Sequence, residues 1–395
     1  MSRAAGLRAR RLWLAAVLVL AAPVQALEVT LSAQYRGESS AQFEHTTPPA
    51  SACAILPTMC RNKLSVTLPV TYTKLTQVTT VPRENFYVRT PAPKQVDIYH
   101  DQSGETHQVQ LNFPTISQRV ASPRRDRNPA ATPYRAGGDC QVQNGAWISQ
   151  TEFLTRWNMP RAPGECWTRA QWSGEGQRET VTTSELSVVY TLGLPPPYRL
   201  KPGIYRGSVT YTLGAGGDFD FGNDVTALNS NDITVNIVID VQHSFRLEFP
   251  LGFDHAVLEP PGGWAAWLDG GRVPPRLFND LSMRLWSTGP FKVYKQCEFD
   301  VGDGCGIRNR RGEEVALKVA ITMPYGVLYQ GWQSVTKKPL PTGRAAALGL
   351  EAFLPTANGP SQLHFEVAQA DLRPMLDRAG EKYSGKVTVI FDAEI

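Results

Sequence analysis

The chain has 395 residues, of which 40 are Lys or Arg and 36 are Asp or Glu, with 33 Gly and 30 Pro. Four of the arginines, Arg3, Arg8, Arg10 and Arg11, fall in the first 26 residues with no acid among them, so beyond that stretch the two signs balance at 36 each. A neutral surface without a basic helix or a phosphate-cradling loop excludes a nucleic-acid partner, and the remaining length suits two domains of ordinary size.

Residues 1–26 have the parts of a secretory signal: the arginines, an apolar run from Leu12 to Ala22, and a Val24-Gln25-Ala26 end with small residues where cleavage needs them. The run is too short to span a membrane. The mature protein is therefore expected to begin near Leu27. After it come short runs of alternating polarity with almost no 3.6-residue period, which predict an all-β protein of sandwich type.

The first domain, 27–240, is expected to use Leu64–Leu68, Val96–Tyr99, Val109–Phe113, Leu186–Tyr190, Tyr205–Tyr211 and Ile233–Ile239 as strands. A linker of residues 241–244 is too short for a flexible tether. The second domain, 245–395, is expected to use Phe245–Phe249, Leu281–Leu285, Val315–Ile321, Leu363–Val367 and Tyr383–Phe391. Helix is predicted only for Thr151–Trp157 and Arg344–Leu354, the latter weakened by Gly349.

Six cysteines in an exported chain imply disulfides, and proximity favours Cys53 with Cys60, Cys140 with Cys166, and Cys297 with Cys305. No C-x-x-C occurs to support a zinc site. The six histidines have no metal-binding spacing, and neither a G-x-S-x-G elbow nor a Cys-His signature is present, so no enzyme, metal or cofactor is expected. The acids of Asp218–Asp224 alternate as in a calcium loop, but the twelfth position from Asp218 is Asn229, which makes an acidic turn the better reading.

Two stretches could meet a ligand. Trp147, Trp157, Trp167 and Trp172 form an aromatic cluster, expected to pack near the Cys140–Cys166 bridge rather than to serve as a platform. Arg119, Arg124, Arg125, Arg127 and Arg135 lie in a Pro-rich segment read as an exposed loop, whose guanidinium forks would suit the carboxylate or sulfate groups of an acidic glycan. The loop 214–231, with Asp218 and Asp220, is a second recognition surface by location.

The spelling Y-x-G-x-V-T occurs twice, at Tyr205–Thr210 and Tyr383–Thr388. After the first copy the chain lays down another strand, Ile233–Ile239; after the second there are only a few residues. The expectation is that the second sheet stops one strand short, leaving an unpaired edge and an apolar groove lined by Phe245, Leu247, Phe249, Val387, Val389 and Phe391.

The export signal, the minimal linker, the Pro202–Tyr211 and Ile233–Asp240 stretches and the terminal Tyr383–Phe391 run together resemble the tip subunits of chaperone-usher fimbriae. The resemblance is to the alpha or class 5 group, which includes the minor tip adhesin of colonisation factor fimbriae and the Cbl-type pilus initiator. It covers the mature chain as architecture and implies two Ig-like β-sandwich domains, an adhesin domain followed by an incomplete pilin domain lacking its last strand. It also implies a periplasmic fimbrial chaperone, an outer-membrane usher, a donor strand from the major pilin, and a host or surface receptor, a glycan among the classes. The protein would pass through the periplasm to the fimbrial tip at the bacterial cell surface. The family's receptor arginines do not carry over: after the penultimate strand this chain reads Leu213-Gly214-Ala215-Gly216-Gly217-Asp218. A non-adhesive minor or shaft pilin, with Leu27–Ala33 as its own donor strand, and an exported enzyme are the alternative readings.

Overall fold

The computed structural model describes residues 26–37, 42–131, 136–141, 145–168, 176–302, 304–378 and 380–393. Residues 1–25 of the expected secretory signal, Arg135 and Trp172 lie outside them.

The fold is built almost wholly of strands, as the alternating runs require. Among the described residues no sheet mixes strands from before His243 with strands from after Ser244. In the first block a 13-stranded sheet is organised on two 16-residue strands, Thr106–Ala121 and Arg178–Gly193, with a three-stranded sheet of Phe86–Thr90, Gly164–Thr168 and Ala136–Gly138 beside it. The second long strand pairs with Tyr72–Gln77 through its first half and with Leu64–Leu68 through its second. A register shift between Ser184 and Leu186, with Glu185 at φ 55°, separates the halves. A bulge of this kind bends a strand, which lets one strand serve two parts of a core.

The second block is a sandwich of two sheets around one core. A seven-stranded sheet runs from Phe245–Glu248 through Arg276–Ser287, Thr356–Ala368 and Glu314–Thr322 to Phe299–Val301. The opposing five-stranded sheet ends with Leu348–Ala352, Pro290–Cys297 and Val387–Ala393. Leu285, Val293, Ile321, Ala352 and Val367 fill the space between them without solvent contact.

Three expectations are corrected. Thr151–Trp157 is not helical: Glu152–Leu154 and Trp157–Asn158 are strands paired with Thr106–Ala121, because Phe153, Leu154 and Trp157 all find a sheet core to enter. Arg344–Leu354 holds one 3-10 turn, Arg344–Ala346, followed by the strand Leu348–Ala352, whose Leu348, Leu350 and Ala352 are buried at strand spacing. Among the described residues the α-helices are Pro57–Cys60, Ala265–Gly270 and Gln369–Leu376. The linker is also shorter than 241–244, since the strand Asp232–Gln242 leaves only His243 and Ser244 before Phe245.

That junction is packed. His243 is buried, its Nε2 lies 2.7 Å from the Leu200 carbonyl, and its ring fills the space a Cβ on Gly289 would need. The Ser244 amide donates to Thr288 Oγ1 at 2.9 Å. Disulfides join Cys53 to Cys60, Cys140 to Cys166, and Cys297 to Cys305.

Candidate functional site

The two copies of Y-x-G-x-V-T meet different neighbours. The strand Gly203–Thr212 pairs along its whole length with Asp232–Gln242 and, on its other side, with Lys94–His100. Asp232–Gln242 is itself covered by Leu27–Arg36, which runs parallel to it over ten pairs. Its inward side chains Ile233, Val235, Ile237, Ile239 and Val241 are at most 1% exposed. The stretch Leu27–Ala33 is therefore a strand of its own sheet, paired along its length on one side and only at Ala33 on the other, with Leu31 and Ala33 buried.

The strand Val387–Ala393 pairs with Pro290–Cys297 over seven positions, and among the described residues its other side pairs with no strand. None of its apolar side chains reaches full burial; Val387, Val389, Ile390 and Phe391 all stay intermediate. Facing it is a second edge: Phe245–Glu248 ends the opposing sheet, with Phe245 and Leu247 half-buried as well. The Phe245 ring lies 5.0 Å from Phe291 and 6.2 Å from Phe391, so the two edges approach each other across the sandwich. All six predicted groove residues thus lie in the half-buried shell of one core. Beyond Phe249 the chain keeps apolar groups in solvent: Leu251 and Val257 are exposed, and Phe253 stacks on Phe249 at 4.6 Å.

The predicted arginine loop is dispersed and its cations are engaged. Arg119 is not in a loop; it lies on Thr106–Ala121 between Glu152 at 3.0 Å and Glu185 at 3.3 Å, chiefly the former holding its guanidinium pKa up. Arg124 pairs with Asp126 at 2.7 Å in solvent. Arg125 lies 4.2 Å over the Trp147 ring and donates to Gln150, and Arg127 donates to Gln177. The tryptophans pack: Trp157 is 3% exposed against Phe86, and the Trp167 ring covers the space where Gly137 and Gly138 would carry side chains.

Asp220 is a correction of the same kind. It is 1% exposed and takes both arms of Arg83, at 2.7 and 3.0 Å, and the amides of Gly216 and Gly222. Burial opposes its ionisation, but these donors outweigh it and hold the carboxyl below the ordinary aspartate range. Asp218 accepts from Lys94 at 3.0 Å and from the Thr212 amide. Phe219 and Phe221 are fully buried, the latter stacked on Tyr72 at 4.2 Å. The loop around them is a rivet of the fold, and Asp220 is closed to a receptor.

Sequence reasoning missed three features because no motif announces them. Lys74 is fully buried, donates to the Arg83 and Asn223 carbonyls, and is held down to about 8 by burial. Thr322, His364 and Asp280 form a row, with Oγ1 to Nε2 and Nδ1 to carboxylate both at 2.7 Å, across three neighbouring strands. Two adjoining clefts of about 450 and 510 Å³ meet at Lys63, Leu64 and Tyr190 in the first block.

No family model matches the chain, and no curated protein matches it. Among solved structures it is similar to a chain of the chaperone–tip adhesin complex of CFA/I fimbriae biogenesis, at 10% identity and a TM-score of 0.24, covering 82% of this chain and 84% of that one. It is also similar to a mutant of the enterotoxigenic E. coli CFA/I adhesin CfaE, at 10% identity and a TM-score of 0.28, covering 94% and 93%. A third similar structure is the CsuC–CsuE chaperone–tip adhesion subunit pre-assembly complex from the archaic Csu pili of Acinetobacter baumannii, at 11% identity and a TM-score of 0.21, covering 93% and 98%.

Proposed function

We propose that the protein is a fimbrial tip subunit, residues 27–240 serving as the adhesin part and residues 245–395 as a pilin part completed by a strand from another chain. The observation that carries this reading is the open edge of Val387–Ala393 beside the equally open Phe245–Glu248, both with apolar side chains left half-buried. An exposed strand edge over an apolar trough is the substrate for strand addition: main-chain hydrogen bonds give affinity and alternate side chains fill the trough. Burying four to five inserted apolar side chains at about 1.5–3 kcal/mol each gives on the order of 6–15 kcal/mol before ordering costs, comparable with the stability of a whole domain.

The donor is first a periplasmic chaperone and then the N-terminal extension of a major pilin, assembled through an outer-membrane usher, with the tip displayed at the cell surface. A synthetic peptide of the shaft pilin's extension, or that segment fused after Ile395, is expected to raise the melting temperature of the second block by more than about 10 °C. No shift with either would remove the reading. The shaft-pilin alternative is disfavoured because Leu27–Ala33 is already committed within its own sheet.

An exported hydrolase has one observation in its favour, the Thr322–His364–Asp280 row. The Thr322 hydroxyl also accepts the Lys337 amide at 2.9 Å, as a group tying strands together would. Hydrolysis of ester or glycoside substrates that vanishes in Thr322→Ala would revive that reading.

A further inference from the structure

We propose that the receptor site of the first block is the double cleft around Lys63, Leu64 and Tyr190, and that it binds an anionic oligosaccharide. The proposal rests on the adhesin reading above and moves the site away from the arginines of the 119–127 stretch, which are already engaged.

The first cleft, of about 450 Å³, is bounded by Asn62, Lys63, Thr115, Gln141, Asn158 and Thr191 over an apolar floor that includes Pro114 and Leu192. The second, of about 510 Å³, continues past Tyr190 to His45, Thr47 and Arg61. A concave surface with an apolar floor and a few converging polar groups is the usual form of a ligand site.

Charge sets the sign of the ligand. Among the described residues no carboxylate lines either cleft. Arg61 and Lys63 are exposed and make no ion pair or side-chain hydrogen bond among the described residues, in contrast to Arg83, Arg119, Arg124 and Lys94. Arg61 is held in place because it follows the Pro57–Cys60 helix, closed by the Cys53–Cys60 bridge. Two rim cations without a partner or a lining acid among the described residues favour a carboxylate- or sulfate-bearing ligand.

The remaining groups set its class. Thr115 donates to Asn158 Oδ1 at 2.8 Å, which orients that amide and leaves its NH₂ without a partner among the described residues. His45 lines the far end of the second cleft, and burial holds its imidazole below its ordinary range, so at neutral pH it brings no charge there. Amides and hydroxyls in this number answer a ligand with many hydroxyl groups. An extended acidic peptide would seek the edge of the adjoining Leu64–Leu68 strand, but the segment across it is already tied on through the Ala50 and Ser51 amides, which donate to Ser65 and Thr67.

The test is titration of the full chain with three probes: a tetrasaccharide carrying uronic acid and sulfate groups, a neutral tetrasaccharide of equal length, and a polyglutamate peptide. Saturable binding of the anionic sugar is expected, with affinity falling as salt rises. The double variant Arg61→Gln/Lys63→Gln should lose at least about tenfold in affinity, because each charge-assisted hydrogen bond carries about 1.5–3 kcal/mol. An Arg124→Gln/Arg125→Gln variant should bind as the parent does, with both variants melting at the parent temperature. Equal binding of the neutral sugar, tighter binding of polyglutamate, or loss confined to the Arg124→Gln/Arg125→Gln variant would each overturn the proposal. If the donor peptide stabilises the chain while no anionic sugar binds, the site fails and the tip-subunit reading stands; if neither occurs, both fail.

Discussion

The strands Gly203–Thr212 and Val387–Ala393 each carry part of the repeated spelling, the second only its Val387-Thr388 because residues 383–386 lie outside that strand, and they end in different physical states. Each alternates apolar and polar residues in the same phase and has one long antiparallel neighbour. What separates them is the next strand. In the first block Asp232–Gln242 and Leu27–Arg36 follow in the sheet, and Ile233, Val235, Ile237, Ile239 and Val241 are closed from water, although Val209, at the position of Val387, stays half-buried. In the second block no further strand pairs with Val387–Ala393 among the described residues, and Val387, Val389 and Phe391 stay half-buried. Burial is a property of the pair of strands, so the same alternation gives a closed core in one place and a half-buried face in another.

The comparison breaks most visibly under truncation. Ile237→Ala, at a fully buried site, is expected to cost about 2–5 kcal/mol in the denaturation of the first block, and Val389→Ala under about 1 kcal/mol in the second. With the donor peptide bound, the Val389→Ala cost should rise toward that of Ile237→Ala. Equal costs without the peptide would mean that the second block is already closed.

The next effect comes from the loop that closes the first block. Asp220→Asn removes the charge from a buried bidentate pair, and because Arg83 is one-third exposed the cost should be about 2–3 kcal/mol rather than more. Its folded pKa is depressed, so the stabilisation is present above the ordinary aspartate value of about 4 and is lost as pH falls through the folded value. Urea unfolding of the first block between neutral pH and pH 3 should therefore flatten in Asp220→Asn.

A second pH dependence of the same sense, in a higher pH window, belongs to Lys74. Folding lowers its pKa from 10.5 to about 8, so between those values the unfolded chain holds the proton more firmly. Stability of the first block should then rise with pH across that window, and Lys74→Met should abolish the rise. The smallest change is expected from Arg119→Gln, about 0.5–1.5 kcal/mol in the same denaturation curve, with no loss of ligand binding.

The strands with clean period-2 alternation were legible: Leu64–Leu68, Arg276–Ser287, Glu314–Thr322 and Asp232–Gln242 each contain the run that predicts them. Leu348–Ala352 was obscured by the alanines before it, which favour helix until a neighbouring strand offers Leu348 and Leu350 a core. Tyr72–Gln77 was obscured by Lys74, a residue that marks a surface until Asn223 and Arg83 supply carbonyls to its ammonium group. Alternation alone places Val387, Val389 and Phe391 on one face, whereas the burial of Asp220 and the pairing of Arg119 were not legible, because composition does not reveal which charges pair with one another.

By itself the sequence determined the all-β character and the alternation that puts Val387, Val389 and Phe391 on one face, since side-chain direction in a strand follows from backbone geometry. Only the tertiary structure decided which strand edges find partners, which cations are neutralised, and that Arg61 and Lys63 border a cleft. Those outcomes depend on distances between residues far apart in the chain, and no local pattern carries them.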